Sequence, residues 1–322
     1  MRRALTGIKP SGTIHLGNWL GALGPAVALQ QEFETFYFVA DLHALTSMTD
    51  RDRLVALSRE VAASFLALGL DPERSVLFRQ SAVPEVCELA WILGCAMPAG
   101  QMERMHAVKA AKEGGLEVNV GTWYYPVLMS ADILLYDSAV VPVGQDQRQH
   151  VELARDLAEK LNHRYGEGSL VVPEVLVRET VGTVPGLDGR KMSKSYGNQI
   201  DLWQPAARLK KQVMRIVTDS KGVDEPKDPD TCPVFLLYRA VASPAEVAAL
   251  ARRYTAGGMG YGEAKLALFE VLERQLETPR QRFEEWMAHP ARLDEVLADG
   301  ARRARIAAQT TIERVRARAG LR

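Results

Sequence analysis

The chain has 322 residues, and its 47% hydrophobic and 25% charged content is typical of soluble globular proteins. Lys and Arg total 40, as do Asp and Glu, so the formal net charge is zero. Global charge therefore does not indicate a nucleic-acid partner, and such a partner would have to be held by local basic patches. The length allows roughly two domains.

The cysteines and the apolar segments predict a cytosolic protein. Cys87, Cys95 and Cys232 form no C-x-x-C pair and no even set, which fits a reducing compartment. The first residues, "MRRALTGIKPSG", are basic but lack the apolar run of a signal peptide. The longest apolar candidate for a membrane span, "YYPVLMSADILLY", carries Asp132 in its middle.

The first part of the chain alternates between strand-like and helix-like periods. Short aromatic and β-branched runs predict strands, and helically spaced apolar residues between them predict helices. The predicted strands are residues 3–8, 35–40, 75–80 and 139–144, and the predicted helices are residues 18–33 and 146–162. This alternation predicts a parallel sheet covered by helices, with ligands bound beyond the carboxyl ends of the strands.

From about residue 200 the pattern becomes helical. The predicted helices are residues 205–217, 245–254, 262–288 and 291–322. A loop at 221–233 and a turn at 256–262 separate the first three helices. The segment from Ala301 onward contains seven arginines and one acid, Glu313.

The segment "GIKPSGTIHLGN" runs from a strand through a Gly/Pro/Ser loop into a helix start. The backbone N–H groups of Gly17 and Asn18 and the side chain of His15 would therefore stand at a helix N-terminus, which favours phosphate. His15 can donate a hydrogen bond to a phosphate oxygen as charge develops there. The alternative is an ordinary strand-to-helix turn with a capping residue.

Two further segments contain residues that could bind a nucleotide or its phosphates. In "VPVGQDQRQH", Gly144 clears space, Asp146 could accept from ribose hydroxyls, and Gln147 could donate or accept a hydrogen bond near a substrate amine. Alternatively, Asp146 only caps the following helix. The stretch "GLDGRKMSKSYGN" holds Lys191 and Lys194 on a glycine-flanked loop, although a solvated surface loop would look similar. Together the three segments supply what phosphoryl or nucleotidyl transfer needs, since its catalysis is mostly positioning and electrostatic stabilisation.

These motifs resemble those of a known family. "HLGN" looks like the HIGH-type signature and "KMSKS" is the second signature of the class I aminoacyl-tRNA synthetases. Within this class, "TGIKPSGTIHLGNWLGAL", "YPVLMSADILLY", "VPVGQDQRQHVELARDLAEKLN" and "PGLDGRKMSKS" are similar to the bacterial tryptophanyl-tRNA synthetases. The similarity extends to the C-terminal "GARRARIAAQTTIERVRARAGL" and so covers essentially the whole chain.

The resemblance implies an α/β fold with a Rossmann-type parallel sheet in the catalytic domain, followed by an α-helical anticodon-binding domain. The implied boundaries are residues 1–185 for the catalytic domain, with an insertion at about 95–125, and residues 186–290 for the KMSKS loop and the anticodon-binding domain. The basic helix at 291–322 would either contact tRNA or pack back on the catalytic domain. The implied reaction joins L-tryptophan and ATP into tryptophanyl-AMP and transfers the amino acid to tRNA(Trp). The implied assembly is a cytoplasmic homodimer.

The same resemblance assigns site residues by match. The catalytic residues would be His15, Lys191, Lys194 and Ser195. The ATP site would be lined by Lys9, Pro10, Ser11, Gly17, Asn18, Gly144, Gln145, Asp146, Val184, Lys191, Met192, Ser193, Lys194 and Ser195. Asp132 would accept the indole N–H of tryptophan, surrounded by Met129, Tyr125, Gln147, His43, Val141, Val143 and Leu5. Mg²⁺ would arrive with the nucleotide, and no protein-bound metal is expected.

Two residues depart from the family pattern. Lys9 stands where many relatives have glutamine, and Leu5 replaces an aromatic residue that is common in the pocket. Lys109 and Lys112 lie in a segment that aligns poorly with relatives, so they receive no role. For tRNA phosphates the first candidates are Lys210, Lys211 and Arg215, and the weaker ones are Arg302, Arg303 and Arg305.

Three other functions remain open at the level of sequence. A tyrosyl-tRNA synthetase shares the fold and both signatures, but an acceptor-only Asp132 suits an indole better than a phenol. An adenylate-forming ligase without tRNA would not need the helical region after residue 200. A regulatory paralogue would not need intact signatures. Asp132 itself has an alternative reading, as the N-cap of a helix that begins at "ILLY".

Overall fold

A computed structural model describes residues 2–105, 119–142, 148–176 and 184–321. Its five strands in this part of the chain form one parallel sheet in the order β3-β2-β1-β4-β5. The strands are β1 Arg3–Ile8, β2 Glu34–Val39, β3 Val76–Arg79, β4 Val140–Pro142 and β5 Glu174–Leu176. The predicted parallel sheet is therefore confirmed, and β5 is an additional strand of three residues that is too short to be recognised by its pattern.

The sheet is buried on both faces. Tyr37, Val39 and Leu77 belong to one hydrophobic cluster. Their alternating neighbours Phe36, Phe38 and Phe78 belong to another. Because successive side chains of a strand point to opposite faces, this split means that each face of the sheet packs against its own layer.

Helices of the first half connect the strands and cover the sheet. The predicted helix at 18–33 is present but is divided into α1 Leu16–Asn18, a π-helical turn Trp19–Leu23, α2 Gly24–Ala28 and a 3₁₀ turn Leu29–Gln31. The others are α3 Asp41–Ala44, α4 Arg51–Ala67, α5 Glu85–Gly94, α6 Ala99–Glu103, α7 Val120–Leu135 and α8 Arg148–Tyr165. A 3₁₀ turn, Gln80–Ala82, directly follows β3.

The second half of the chain is helical, as predicted. Its helices are α9 Ala206–Val213, α10 Pro233–Val241, α11 Pro244–Ala256, α12 Tyr261–Ala288 and α13 Pro290–Ala319. Among them, α10 was not predicted, because its apolar run lies directly behind a loop rich in Pro and Asp. The first hydrophobic cluster continues from the sheet into this half through residues such as Leu209, Leu268 and Leu297. The rings of Trp203 and Phe283 stack across it, with centroids 4.5 Å apart.

The C-terminal helix α13 packs against the edge strand β3. A Cβ atom placed on Gly300 would lie 1.8 Å from the carbonyl oxygen of Leu77, so the helix and the strand backbone are in direct contact. Arg303 donates from Nη1 to the carbonyl oxygens of Pro72 at 2.6 Å and Ser75 at 3.2 Å. These contacts place α13 on the sheet. Among the helices of the described ranges, none combines the length and apolarity of a membrane span.

The contact at Gly300 generates a stability prediction. Gly300→Ala should lower the free energy of unfolding by about 2–3 kcal/mol, because the added methyl group meets strand backbone that cannot rotate away. Gly262→Ala is the matched control: Gly262 also lies in a helix, and a Cβ there meets nothing within 4 Å. Urea denaturation of both variants measures the difference. Equal midpoints for the two variants would contradict the packing at Gly300.

Candidate active site

The "HLGN" segment forms a helix start after β1. His15 is the N-cap of α1: its Nδ1 accepts a hydrogen bond from the backbone N–H of Asn18 at 3.3 Å, and Asn18 Oδ1 accepts from the His15 N–H at 3.1 Å. His15 is only 7% exposed. Since Nδ1 is the acceptor, the neutral ring carries its proton on Nε2. The capping interpretation of this turn is thus correct, and it leaves His15 with a donor N–H.

The "KMSKS" segment lies beside "HLGN", although the two are far apart in the chain. The N–H of Leu16 donates to the carbonyl oxygen of Ile200 at 2.8 Å, and the N–H of Leu202 donates to that of Ile14 at 3.0 Å. The Gly17 N–H points to the sulfur of Met192 at 3.3 Å. The two signatures therefore form one surface, joined by an antiparallel backbone pairing on either side of His15.

A buried asparagine organises the "KMSKS" loop. Asn198, which is 3% exposed, accepts from the Ser193 N–H at 2.8 Å and donates to the Lys191 carbonyl oxygen at 3.1 Å and to Asp188 Oδ1 at 2.6 Å. The hydroxyl oxygens of Ser193 and Ser195 are 2.8 Å apart. The loop is therefore folded by specific bonds, which argues against a merely solvated segment.

Lys194 is the half-buried cation of this surface. A Cβ atom on Gly12 would lie 3.2 Å from its Nζ, so the ammonium group stands against the "GIKPSG" loop. Burial lowers the pKa of Lys194, while the carboxylates of Glu60 and Asp201 oppose this shift. Burial, and then the charge of Lys194, lower the pKa of His15 to about 4. His15 is therefore neutral near pH 7.

The remaining described residues of the predicted ATP site lie around this surface. The Lys9 ammonium donates to Thr46 Oγ1 at 3.0 Å, and burial lowers its pKa. Val184 is 9% exposed, and its carbonyl oxygen accepts from the Met192 N–H at 2.8 Å. Pro10 is buried, whereas Ser11, Lys191 and Ser195 are exposed. Lys9, Pro10 and Ser11 directly follow the carboxyl end of β1, and Val184 pairs with the "KMSKS" segment.

Asp132 lies inside α7 and is 1% exposed. The interpretation as an N-cap for "ILLY" is wrong, because α7 begins at Val120 and Asn119 caps it. The Asp132 carboxylate instead accepts from Gln80 Nε2, 2.9 Å from Oδ1 and 2.8 Å from Oδ2, while His43 Nε2 lies 3.0 Å from Oδ2. Burial raises the pKa of Asp132, and the hydrogen bonds from His43 and Gln80 lower it in part.

Aromatic groups adjoin this carboxylate. The ring of Tyr125 stands edge-on to that of His43, with centroids 6.0 Å apart, and its hydroxyl oxygen is 3.3 Å from His150 Nε2. Leu5 and Val141 are 2% and 4% exposed and belong with the partly buried Met129 to the second hydrophobic cluster. Five predicted residues lie outside the described ranges: Val143, Gly144, Gln145, Asp146 and Gln147. So do Lys109 and Lys112.

Sequence reasoning missed several residues of this region. Gln80 and Asn198 were not singled out, nor were Thr46 and His150. For Gln80 a signal existed, because it is the last residue of the predicted strand 75–80, and ligands bind at the carboxyl ends of strands in a parallel sheet. Asn198 had no such signal, since its role depends on how a loop folds back on itself.

The candidate tRNA-contacting cations differ in their surroundings. Lys210, Lys211 and Arg215 are exposed on α9 and just after it. On α13, Arg302 pairs with Asp299 at 2.6 Å and Arg305 with Glu85 at 2.9 Å. No group of three or more His, Cys, Asp or Glu side chains within the described ranges is arranged to hold a metal ion.

Comparisons with known proteins agree with this geometry. The family model described as class I tRNA synthetases (W and Y) matches residues 1–277. A tryptophan–tRNA ligase of Rhodopirellula baltica is 47% identical over 320 residues, covering 99% of this chain and all of that protein. One of Pseudomonas aeruginosa is 46% identical over 332 residues, covering 99% of this chain and 74% of that protein.

A solved structure is similar over the same length. The tryptophanyl-tRNA synthetase of Campylobacter jejuni, complexed with ADP and tryptophan, superimposes with a TM-score of 0.91 at 44% identity. The match covers 99% of this chain and 100% of that chain. Since the family model and these relatives cover almost the entire chain, this protein belongs to the class I tRNA synthetases of the tryptophan and tyrosine type.

Proposed function

We propose that this protein is a tryptophan–tRNA ligase. It activates L-tryptophan with ATP to tryptophanyl-AMP and pyrophosphate, and it then transfers the tryptophanyl group to the 3′ end of tRNA(Trp), releasing AMP. The observation that carries the proposal is the junction of the two signatures, where neutral His15 and cationic Lys194 share one partly buried surface. The relatives named tryptophan–tRNA ligase support the choice of amino acid.

In the first step a carboxylate oxygen of tryptophan attacks the α-phosphorus, and the bond to the bridging oxygen of pyrophosphate breaks. Negative charge grows on the phosphate oxygens in the transition state. His15 can donate a hydrogen bond to these oxygens without adding a proton to the reaction, since its pKa is about 4. Lys191 and Lys194 supply positive charge, and the partial burial of Lys194 strengthens its effect.

The tryptophan side chain is proposed to bind beside Asp132. Indole N–H is a donor only, and a buried carboxylate is an acceptor only, so the pair is complementary. Tyr125, Met129, His43, Val141 and Leu5 would surround the ring, and Gln147 and Val143 would complete the pocket. A tyrosine phenol would instead need a partner for its own acceptor oxygen, which Asp132 does not provide.

Other parts of the proposal concern partners and organisation. We propose a homodimer acting in the cytoplasm, with Mg²⁺ carried by ATP, and a catalytic domain at 1–185 followed by an anticodon-binding domain at 186–290. The exposed Lys210, Lys211 and Arg215 would contact tRNA phosphates. Arg303 and Arg305 of α13 bond to groups of residues 72–85, which supports a structural role for residues 291–322.

Two assays test the function directly. ATP–pyrophosphate exchange with each of the twenty amino acids should show activity with tryptophan far above that with tyrosine, and tRNA(Trp) should be charged. A tRNA-independent ligase would give exchange without charging, a tyrosyl enzyme would prefer tyrosine, and a regulatory paralogue would give neither.

Lys194→Ala should slow adenylate formation and leave tryptophan binding nearly intact. The charge of Lys194 matters mainly when charge develops on the phosphates, so its loss appears in kcat. Single-turnover kinetics and tryptophan titration separate the two effects, with the exposed Lys221→Ala as control. Equal losses in tryptophan affinity and turnover would count against this role of Lys194.

Asp132→Asn should lower kcat/KM for tryptophan roughly 10- to 100-fold, the loss of about 1.5–3 kcal/mol from one charge-assisted hydrogen bond. Asp132→Ala should cost at least as much. Discrimination against phenylalanine should shrink, because a site that pairs a polar substrate group penalises an analogue without it. Measuring kcat/KM for tryptophan, tyrosine and phenylalanine, with thermal melts, checks this. A less stable protein with unchanged selectivity would refute the role of Asp132.

Binding of tRNA should weaken steeply with salt despite the zero net charge, because bound lysines and arginines displace counterions from phosphates. Replacing both Lys210 and Lys211 by alanine should reduce the slope of log affinity against log salt by about 1–2. Arg302→Ala should change it less, since this side chain is paired with Asp299. If the tRNA affinity of the unaltered protein did not change with salt concentration, this prediction would be contradicted.

A further inference from the structure

We propose that Gln80 is a positioning residue for indole recognition: its amide holds the Asp132 carboxylate in place and connects it to the N-terminus of α3. This inference rests on the proposed role of Asp132 in binding the indole N–H. Gln80 would not touch the substrate. It would act by orienting the carboxylate and by keeping it ionised in a buried site.

The position of Gln80 joins three elements. It stands in the 3₁₀ turn that directly follows β3, and it is 1% exposed. Its Nε2 donates to both carboxylate oxygens of Asp132 on α7, at 2.9 and 2.8 Å. Its Oε1 accepts from the backbone N–H groups of Leu42 at 3.1 Å and His43 at 3.3 Å on α3. One buried amide therefore bridges the end of β3, the start of α3 and the middle of the proposed pocket.

The orientation of this amide is determined by its partners. The N-cap of α3, Ala40, has no side chain able to cap. The Leu42 N–H has Asp41 Oδ1 as an acceptor at 3.0 Å, whereas the His43 N–H takes an acceptor from outside the helix. Gln80 Oε1 provides it. The flipped amide would place its NH₂ group against two N–H donors and its oxygen against a carboxylate, which is repulsive on both sides. The Nε2 donor must therefore face Asp132.

A second pair of residues braces the same junction from the opposite direction. Asp41 Oδ1 accepts from the backbone N–H of Ser81 at 2.9 Å, and Asp41 Oδ2 accepts from the Ser81 hydroxyl at 2.5 Å. Thus each of the two chain segments sends a side chain to the backbone of the other. Such reciprocal bonding ties the turn that carries Gln80 to the start of α3.

The hydrogen bonds leave the two oxygens of Asp132 unequally used. Among the described residues, Oδ2 has Gln80 and His43 as partners, whereas Oδ1 has Gln80 alone. A carboxylate oxygen can accept about two hydrogen bonds, so Oδ1 is the oxygen with capacity for the indole N–H. His43 distinguishes Oδ2 from Oδ1, but without Gln80 it would be the one described side chain bonded to the carboxylate, which could then rotate more freely about its terminal torsion.

Gln80 also opposes the cost of burying the carboxylate. Burial and the nearby charge of Asp41 raise the pKa of Asp132, while the bonds from His43 and Gln80 lower it. An ionised acceptor forms a stronger hydrogen bond with indole than a protonated one, whose O–H would compete with the N–H. Removing Gln80 should therefore weaken the hydrogen bond between Asp132 and the indole N–H, and with it the recognition of this group.

The test compares tryptophan with an analogue in which sulfur replaces the indole N–H, β-(3-benzothienyl)alanine. For Gln80→Met, which keeps the length of the side chain, kcat/KM for tryptophan in ATP–pyrophosphate exchange should fall roughly 10-fold, since one of the bonds that orient the charged acceptor is lost. The value for the analogue should change less than about 2-fold, because the analogue makes no such hydrogen bond. The measured quantity is the ratio of kcat/KM for tryptophan to kcat/KM for the analogue, which would not change if Gln80 had a purely structural role.

Gln30→Met is the matched control. Gln30 is also a buried glutamine, 8% exposed, that bonds backbone groups: its Nε2 donates to the Gly69 carbonyl oxygen and its Oε1 accepts from the Asp71 N–H, both at 2.9 Å. The Gln30→Met variant should be less stable, but its ratio of kcat/KM for tryptophan to kcat/KM for the analogue should be unchanged. The inference is overturned if Gln80→Met leaves the ratio of the two kcat/KM values unchanged, whether or not both values fall.

A second variant keeps the inference testable if Gln80→Met does not fold. Gln80→Glu preserves shape but places a carboxyl group beside Asp132, so the two share a proton at low pH and repel at high pH. Its preference for tryptophan should fall as pH rises, while that of the unaltered protein changes little. Within the described ranges, the titratable groups that interact with Asp132 are His43, Asp41, Cys87 and Tyr136, and they are common to both proteins. A preference equal to that of the unaltered protein at every pH would overturn the inference.

Asp132→Asn distinguishes failure of this inference from failure of the proposed function. If the unaltered protein does not prefer tryptophan over the analogue, the proposed role of Asp132 is wrong. If it does, and Asp132→Asn loses that preference whereas Gln80→Met retains it, only the role of Gln80 is wrong.

Discussion

The backbone pairing between residues 14–16 and 200–202 is the interaction on which the rest of the site depends. Two hydrogen bonds, from Leu16 to Ile200 and from Leu202 to Ile14, join a loop that follows the first strand to a loop that precedes the helical half. Each loop is ordered by its own hydrogen bonds, those of the His15 cap and those of Asn198, and the pairing fixes the position of one loop relative to the other. Because the bonds flank His15, they bring the helix start and the lysine loop within reach of the same phosphate chain.

The electrostatics of the junction follow from this pairing. Lys194 is drawn partly out of water, where its charge suppresses protonation of His15 and is balanced by Glu60 and Asp201. Glu60 is itself held by the Ile14 N–H at 2.7 Å, so the counter-charge is positioned by the same segment that carries the catalytic turn. A neutral donor and a cation can therefore stand side by side, each in the protonation state that phosphate chemistry needs.

Much of the architecture was predictable from the sequence, for physical reasons that can be named. In β2 every residue after Glu34 is buried, so its aromatic and β-branched residues form a continuous run that is easily recognised as a strand. The helix α12 has a long, regular apolar spacing and was predicted almost to the residue. The positions of His15 and Asn18 at a helix start followed from the strand–loop–helix order alone.

What could not be predicted depends on contacts between distant residues. Asp132 lies deep in a helix rather than at its start, because α7 begins at Val120, well before the apolar run "ILLY". The helix also continues through Pro126, which would be expected to interrupt it. Asn198 and Gln80 act through backbone groups that come near only after folding. An amide side chain gives no sign in the sequence of whether it will bond to water, to backbone or to a buried carboxylate.

The position of α13 has a consequence for the assembly of the protein during synthesis. This helix covers the backbone of β3, the outer strand of the sheet, yet it is translated after all the other described elements. Until it docks, β3 presents unpaired N–H and C=O groups, as exposed edge strands do, and these can pair with a strand of another chain. The β3 edge of the sheet that carries the active site is thus covered by the helix that, among the described elements, is translated last.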